Sequence, residues 1–179
     1  MTEADLIVEH ALANRENLAI AIKVGLALPF LKQKIFADFL NRLAAEVEKT
    51  LGSEWSASVD LEKGPCLYIR KRHWPAVALV GLGSDYASGK DTYFSAGRFT
   101  DVAKNALFDQ ELKAKLDEQI GKGNTSAGCA WYKYTSRYRH WDSEEGLLAI
   151  SGTETTEYWK AHLIQICHTL DSVDSPPPG

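Results

Sequence analysis

Two stretches of the chain set aromatic rings and cationic side chains side by side. Tyr68, Arg70, Lys71, Arg72 and Trp74 form the first, and Trp131, Lys133, Tyr134, Arg137, Tyr138, Arg139 and Trp141 the second. Ring faces stack on bases or sugars while guanidinium and ammonium groups meet phosphate, a combination that single-stranded nucleic-acid binders use. The candidate contacts to nucleic acid or another polyanion are therefore Arg70, Lys71, Arg72, Trp74, Lys133, Tyr134, Arg137, Tyr138 and Arg139. An ordinary strand pattern competes with this reading, because alternate aromatics on a strand are usually core and their charged neighbours face water.

Patterns for catalysis are incomplete. The loop Gly83 to Asp91 has the outline of a phosphate-binding P-loop, but five residues separate Gly83 from Gly89 where four are needed, and Asp91 stands where Ser or Thr would hold magnesium. A PD-(D/E)XK nuclease needs an acid-x-Lys pair beside another acid on strand positions. Glu111 and Lys113 have that spacing within a helical pattern, whereas Asp60, Glu62 and Lys63 lie at a strand edge with the wrong spacing. There is no Gly-x-Ser-x-Gly elbow, and His140-Trp141-Asp142 supplies only part of a triad. His162 and His168 are six apart on one helix and face different ways. The sequence thus nominates no catalytic residue, no metal ligand and no cofactor.

Charge sharpens the case for the middle of the chain. The formal net charge is −4, yet residues 1–62 carry −4, residues 63–141 carry +6 and residues 142–179 carry −6. A basic middle between acidic ends can build an anion-binding face on an acidic protein. The three cysteines, Cys66, Cys129 and Cys167, lack zinc-site or disulfide-scaffold spacing, so reduced thiols in a cytoplasmic protein are expected. No apolar run approaches the roughly 20 residues of a membrane span, and the acidic start at Glu3, Asp5 and Glu9 is unlike a secretory signal.

These residues need elements to position them. Apolar positions Leu31, Ile35, Phe36, Phe39, Leu40, Leu43, Val47 and Leu51 recur at steps of three and four, which predicts a long amphipathic helix from Pro29 to Leu51, stopped by Gly52. The Ala- and Leu-rich segment before it reads as one or two shorter helices with a break near Asn14 to Asn17. Residues 55–61, 66–72, 76–82 and 92–96 are β-branched or aromatic and separated by turn chemistry, which predicts an antiparallel meander of four strands, or five with 129–135. A parallel sheet would need helices between them, and there is no room. A helix from Leu107 to Ile120, a short one capped by Asp142 with Glu145, and a final one opened by Ser151 with Glu154 complete the pattern. The expectation is one α+β domain over 1–174, its C-terminal helices on one face of the sheet, with 175–179 as a disordered Pro-rich tail.

The run Trp55 through Arg98, with Gly64-x-x-Leu67-Tyr68-Ile69-x-Lys71-x-x-Trp74 and Tyr93-Phe94-Ser95-Ala96-Gly97-Arg98, resembles the region that follows the catalytic core in some prokaryotic PD-(D/E)XK nuclease-family proteins. Trp131-Tyr132-Lys133-Tyr134 and Tyr138-Arg139-His140-Trp141-Asp142 extend the likeness over roughly residues 30–170. The resemblance implies an accessory α+β module of bacterial or phage origin with a role in defence or counter-defence. The nuclease core is missing, so no catalytic residue carries over. Three functions stay open: a non-catalytic module for nucleic acid or another polyanion, a protein-interaction module or inhibitor subunit anchored by Trp74, Trp131 or Trp141, and a degenerate metal-dependent nuclease. Neither partner nor oligomeric state follows from the sequence.

Overall fold

The computed structural model of the chain describes residues 2–72, 79–85, 87–97 and 106–173. The elements run α1 (Glu3–Leu12), α2 (Arg15–Leu51), β1 (Trp55–Asp60), β2 (Cys66–Lys71), β3 (Leu79–Ser84), β4 (Thr92–Gly97), α3 (Ala106–Gln119), β5 (Trp131–Tyr134), α4 (Glu144–Ser151) and α5 (Glu154–Ser172). The architecture is the expected α+β one, with a long N-terminal helix, an antiparallel sheet and C-terminal helices. Trp74, the first part of the strand expected at 76–82, and the tail 175–179 lie outside the described residues. The chain divides into two compact units, Met1–Lys34 and Ile35–Gly179.

In the first unit Thr2 opens α1 with a reciprocal cap: its hydroxyl accepts from the Asp5 amide at 3.2 Å, and its own amide donates to the Asp5 carboxylate at 2.7 Å. The Asn14 side chain accepts from the Asn17 amide at 2.9 Å and starts α2, which puts the helix break where the polar run Asn14 to Asn17 predicts it. One expectation is corrected. Pro29 does not open a helix but lies inside α2, which begins at Arg15. The loss of one backbone donor costs about 3 kcal/mol in a helix interior, and the Ala- and Leu-rich turns on both sides keep the helix continuous through it.

The second unit is built on a five-stranded sheet in the order β1-β2-β3-β4-β5, antiparallel throughout. Side chains alternate across a strand, so Leu67 and Ile69, Val80 and Leu82, Phe94 and Ala96, and Trp131 share one face, all buried. Against that face pack Phe39, Leu40 and Leu43 of α2, Leu112 and Leu116 of α3, and Trp159, Leu163 and Ile166 of α5. Edge-to-face rings tie the layers, with Trp141 5.3 Å from Phe39 and 5.6 Å from Trp159.

Two helix starts differ from their sequence signals. Ser143, not Asp142, caps α4, because its hydroxyl accepts from the Gly146 amide at 3.0 Å while donating to the His140 carbonyl at 2.8 Å. Ser151 is the last residue of α4, its hydroxyl turned back to the Leu148 carbonyl, and α5 starts after Thr153 without a side-chain cap. The Arg42 guanidinium instead closes α4, donating to the carbonyls of Ile150 and Gly152 at 2.9 and 2.8 Å.

Candidate nucleic-acid interface

The strand register fixes what the other face of the sheet carries. Pairing places Ser58, Tyr68, Gly81, Ser95 and Tyr132 in one row across the five strands. The next row holds Asp60, Cys66, Gly83, Tyr93 and Tyr134, with the Cys66 sulfur and Tyr93 hydroxyl lying over Gly83. The central strand therefore contributes glycines, and tyrosines stand on both sides of it. A Cβ at Gly83 would lie 3.0 Å from the Cys66 sulfur, so a larger residue there would press on that side chain.

Three of these tyrosines pack edge to face. Tyr93 lies 6.1 Å from both Tyr132 and Tyr134, and those two are 5.8 Å apart. Burial pushes the Tyr93 phenol up to about 12 and raises Tyr68 further. Tyr134 is also held up to about 12, chiefly because its hydroxyl donates to the Asp85 carboxylate. All three stay neutral near pH 7 and offer ring faces without charge. Cys66 and Cys129 are raised by burial as well, so they are thiols in this pH range, and all three cysteines are free.

Arg139 joins this cluster to a polar cleft. Its guanidinium lies over the Tyr134 ring at 4.6 Å, and its Nε donates to Asp91 at 2.7 Å. The cleft, about 480 Å³, is lined by residues 136–140 and by Ser143, Glu145 and Gly146 at the start of α4. Arg137 sits in it with its guanidinium 4.8 Å over the Tyr138 ring, and His140 Nδ1 lies 4.0 Å from Asp91. Arg139 and His140 thus approach the same carboxylate, Asp91, and Glu145 lines the cleft near them. Asp91 engages Arg139 at Nε, which fixes the direction of the guanidinium.

The backbone here is held in an unfavourable conformation. Asp91 and Tyr138 are the described non-glycine residues with positive φ, both at 55°, a conformation that is costly for a bulky side chain. Thr92 enforces it, donating its amide to the Arg139 carbonyl at 2.9 Å and placing its hydroxyl 3.1 Å from the carbonyls of Tyr138 and Arg139. Tyr138 is also held by ring contacts to Tyr158 and Trp159. The strain falls on Asp91, one member of the ion pair, and on Tyr138, the neighbour of the other.

The sequence-nominated residues separate into groups. Tyr134, Arg137 and Arg139 come together with the cleft, and Tyr138 backs it from the core side. Arg70 is exposed on the tyrosine-bearing face, where it lines a second cavity of about 370 Å³ with Ser58, Tyr68 and Leu79. Lys71 points to the helical side, paired with Asp171 and 5.5 Å over the Trp55 ring, and Arg72 lines a shallow depression beside Gly52 and Trp55. Lys133 shares the core-facing side with Phe94 and donates to the Ile120 carbonyl at 2.9 Å, ending α3. Trp131 and Trp141 are fully buried, which corrects their nomination as surface anchors. The residues that sequence reading did not nominate are Tyr93, Tyr132 and His140. Alternation within β4 and β5 was the available signal for the first two, but only the register brings them together.

The nuclease candidates stay apart. Glu111 and Lys113 lie in α3, where Lys113 pairs with Asp117 and Glu111 with Lys115. Asp60 accepts from the Glu62 amide at 2.8 Å. Among the described residues, no group of three or more His, Cys, Asp or Glu side chains is placed to hold a metal ion. Gly89, in the loop with a P-loop outline, is packed against Phe36 and Trp141 instead of opening toward a ligand. Compared with protein-family models, with curated proteins and with solved structures, the chain matches none of them.

Proposed function

We propose that the chain is a non-catalytic recognition module that binds single-stranded nucleic acid, with bases stacked on Tyr132 and Tyr134 and phosphates met by Arg137, Arg139 and His140. One observation carries the reading: Arg139 lies over the Tyr134 ring at the mouth of the cleft that holds Arg137, so stacking surface and phosphate donors adjoin. Neutral rings provide sequence-tolerant stacking worth about 1–3 kcal/mol per base. The positive φ at Asp91 and Tyr138 supports the same reading, because strained backbone persists where surrounding contacts hold a functional geometry. Defence or counter-defence against phage is the setting we propose on the strength of the sequence resemblance.

The test is fluorescence anisotropy with labelled oligothymidylate and oligouridylate at low salt, for the unmodified chain and for Arg137→Glu with Arg139→Glu. Binding by the unmodified chain should be salt-sensitive and should fall strongly on the double reversal. Absence of binding to either oligonucleotide at low salt would overturn the proposal.

A further inference from the structure

The segment Met1–Lys34 carries an apolar surface that a lone chain leaves in water. Leu18, Ile20, Ile22, Val24, Leu26 and Leu28 recur at every second position, and at about 100° per residue such steps set Leu18, Ile22 and Leu26 along one side of the helix and Ile20, Val24 and Leu28 along the opposite one. Each is at least 39% exposed, and Phe30 is 75% exposed. A helix with apolar stripes on opposite sides belongs inside an assembly. From Leu6 to Leu31 twelve apolar residues are 39–75% exposed, more than the few hundred Å² of a monomer's largest patch would accommodate. No helix among the described residues is long and apolar enough to cross a membrane.

Charge selects the occupant. Glu3, Asp5, Glu9 and Glu16 against Arg15 give the first half of the segment −3, while Lys23, Lys32 and Lys34 give the second half +3. A parallel pair of such helices sets like charges together. An antiparallel pair centred on Val24 and Gly25 and packed through Ile20, Val24 and Leu28 sets Glu16 of one copy beside Lys34 of the other, with Arg15 on the far side of the helix, whatever Lys34 also touches within its own chain. From the exposed area and this self-complementary charge we infer that Met1–Lys34 is an association arm, packing antiparallel against the same segment of a second copy of this chain.

Light scattering on the full chain at micromolar concentration should give a dimer or a larger even-numbered assembly, and a monomer would overturn the inference. Val24→Glu with Leu28→Glu should raise the dissociation constant by about a hundredfold or more, since buried unpaired charge is among the largest single-site penalties. Glu16→Lys should weaken association about fivefold, as expected for exposed pairs lost twice across a two-fold axis. Adding Lys34→Glu to it should restore association. That restoration is the decisive arm, because a folding defect would not be repaired by a further substitution. Glu16→Lys without effect, or no restoration at an unchanged unfolding temperature, would refute the antiparallel pairing. A monomer that sediments with phosphatidylcholine and phosphatidylglycerol vesicles would assign the arm to a lipid surface instead.

Discussion

Arg139→Gln, set beside Tyr134→Ala, separates the two physical contributions assigned to the cleft. Arg139 is 45% exposed and Asp91 18%, so their ion pair is screened and contributes at most about 1 kcal/mol to stability. Removal of the charge should therefore lower the unfolding temperature by only about 2–4 °C. In binding, a charge-assisted phosphate contact is worth about 1.5–3 kcal/mol, a loss of roughly ten- to a hundredfold in affinity at low salt. The slope of log affinity against log salt should become shallower by about 0.7, one contact on a single strand. Tyr134→Ala should weaken binding about five- to 150-fold through lost stacking, with the salt slope unchanged. The two substitutions should also couple, because the Arg139 guanidinium rests 4.6 Å above that ring. Lys133→Met is the internal control: its ammonium faces the helices and ends α3, so the salt slope should stay at the unmodified value. Anisotropy titrations across a salt series read all of these. An unchanged slope for Arg139→Gln, or a changed one for Lys133→Met, would refute the assignment.

Two further outcomes follow from the packing. Asp117 accepts from the Gly123 amide at 2.8 Å, from the buried Trp131 indole at 3.1 Å and from Lys113 at 2.5 Å, so Asp117→Ala should cost about 2–3 kcal/mol by leaving the indole N–H unpaired. Desolvation alone would raise this carboxyl, but the bonds from Lys113, Gly123 and Trp131 outweigh it and hold its pKa below the ordinary value. The stability difference between unmodified chain and variant should thus be full above about pH 5 and shrink as pH falls below about 4, as urea titrations would show. Gly97 has φ +131°, and a Cβ there would lie 2.4 Å from the Ala130 backbone nitrogen. Gly97→Ala should lower the unfolding temperature by about 6–12 °C in calorimetry, equivalent to roughly 3 kcal/mol, and a shift under 2 °C would contradict that packing.

Much of the fold is legible in local patterns, because helix and strand periods are local properties of the chain. The steps of three and four from Phe36 to Val47 mark the buried face of α2, and the turn chemistry between short strands forbids the crossovers of a parallel sheet. Pro29 misled because a proline that suits a first turn can also be carried in an interior when helix formers surround it. The site is less legible. Lys71 and Arg70 are neighbours in sequence, yet alternation sends one to Asp171 on the helical side and the other to the tyrosine-bearing face. Trp131 and Tyr132 part in the same way. The meeting of Tyr93 with Tyr134 depends on a register between strands separated by α3, and that of Arg139 with Asp91 on a loop contact across 48 residues.

Residue-resolved nuclear magnetic resonance of isotope-labelled protein titrated with oligothymidylate tests the central claim most directly. The account predicts that the amides of Tyr132, Tyr134, Arg137, Arg139 and His140 shift first and together, with those near Lys71 following only weakly. Shifts confined to other parts of the surface, or none at saturating oligonucleotide, would contradict it.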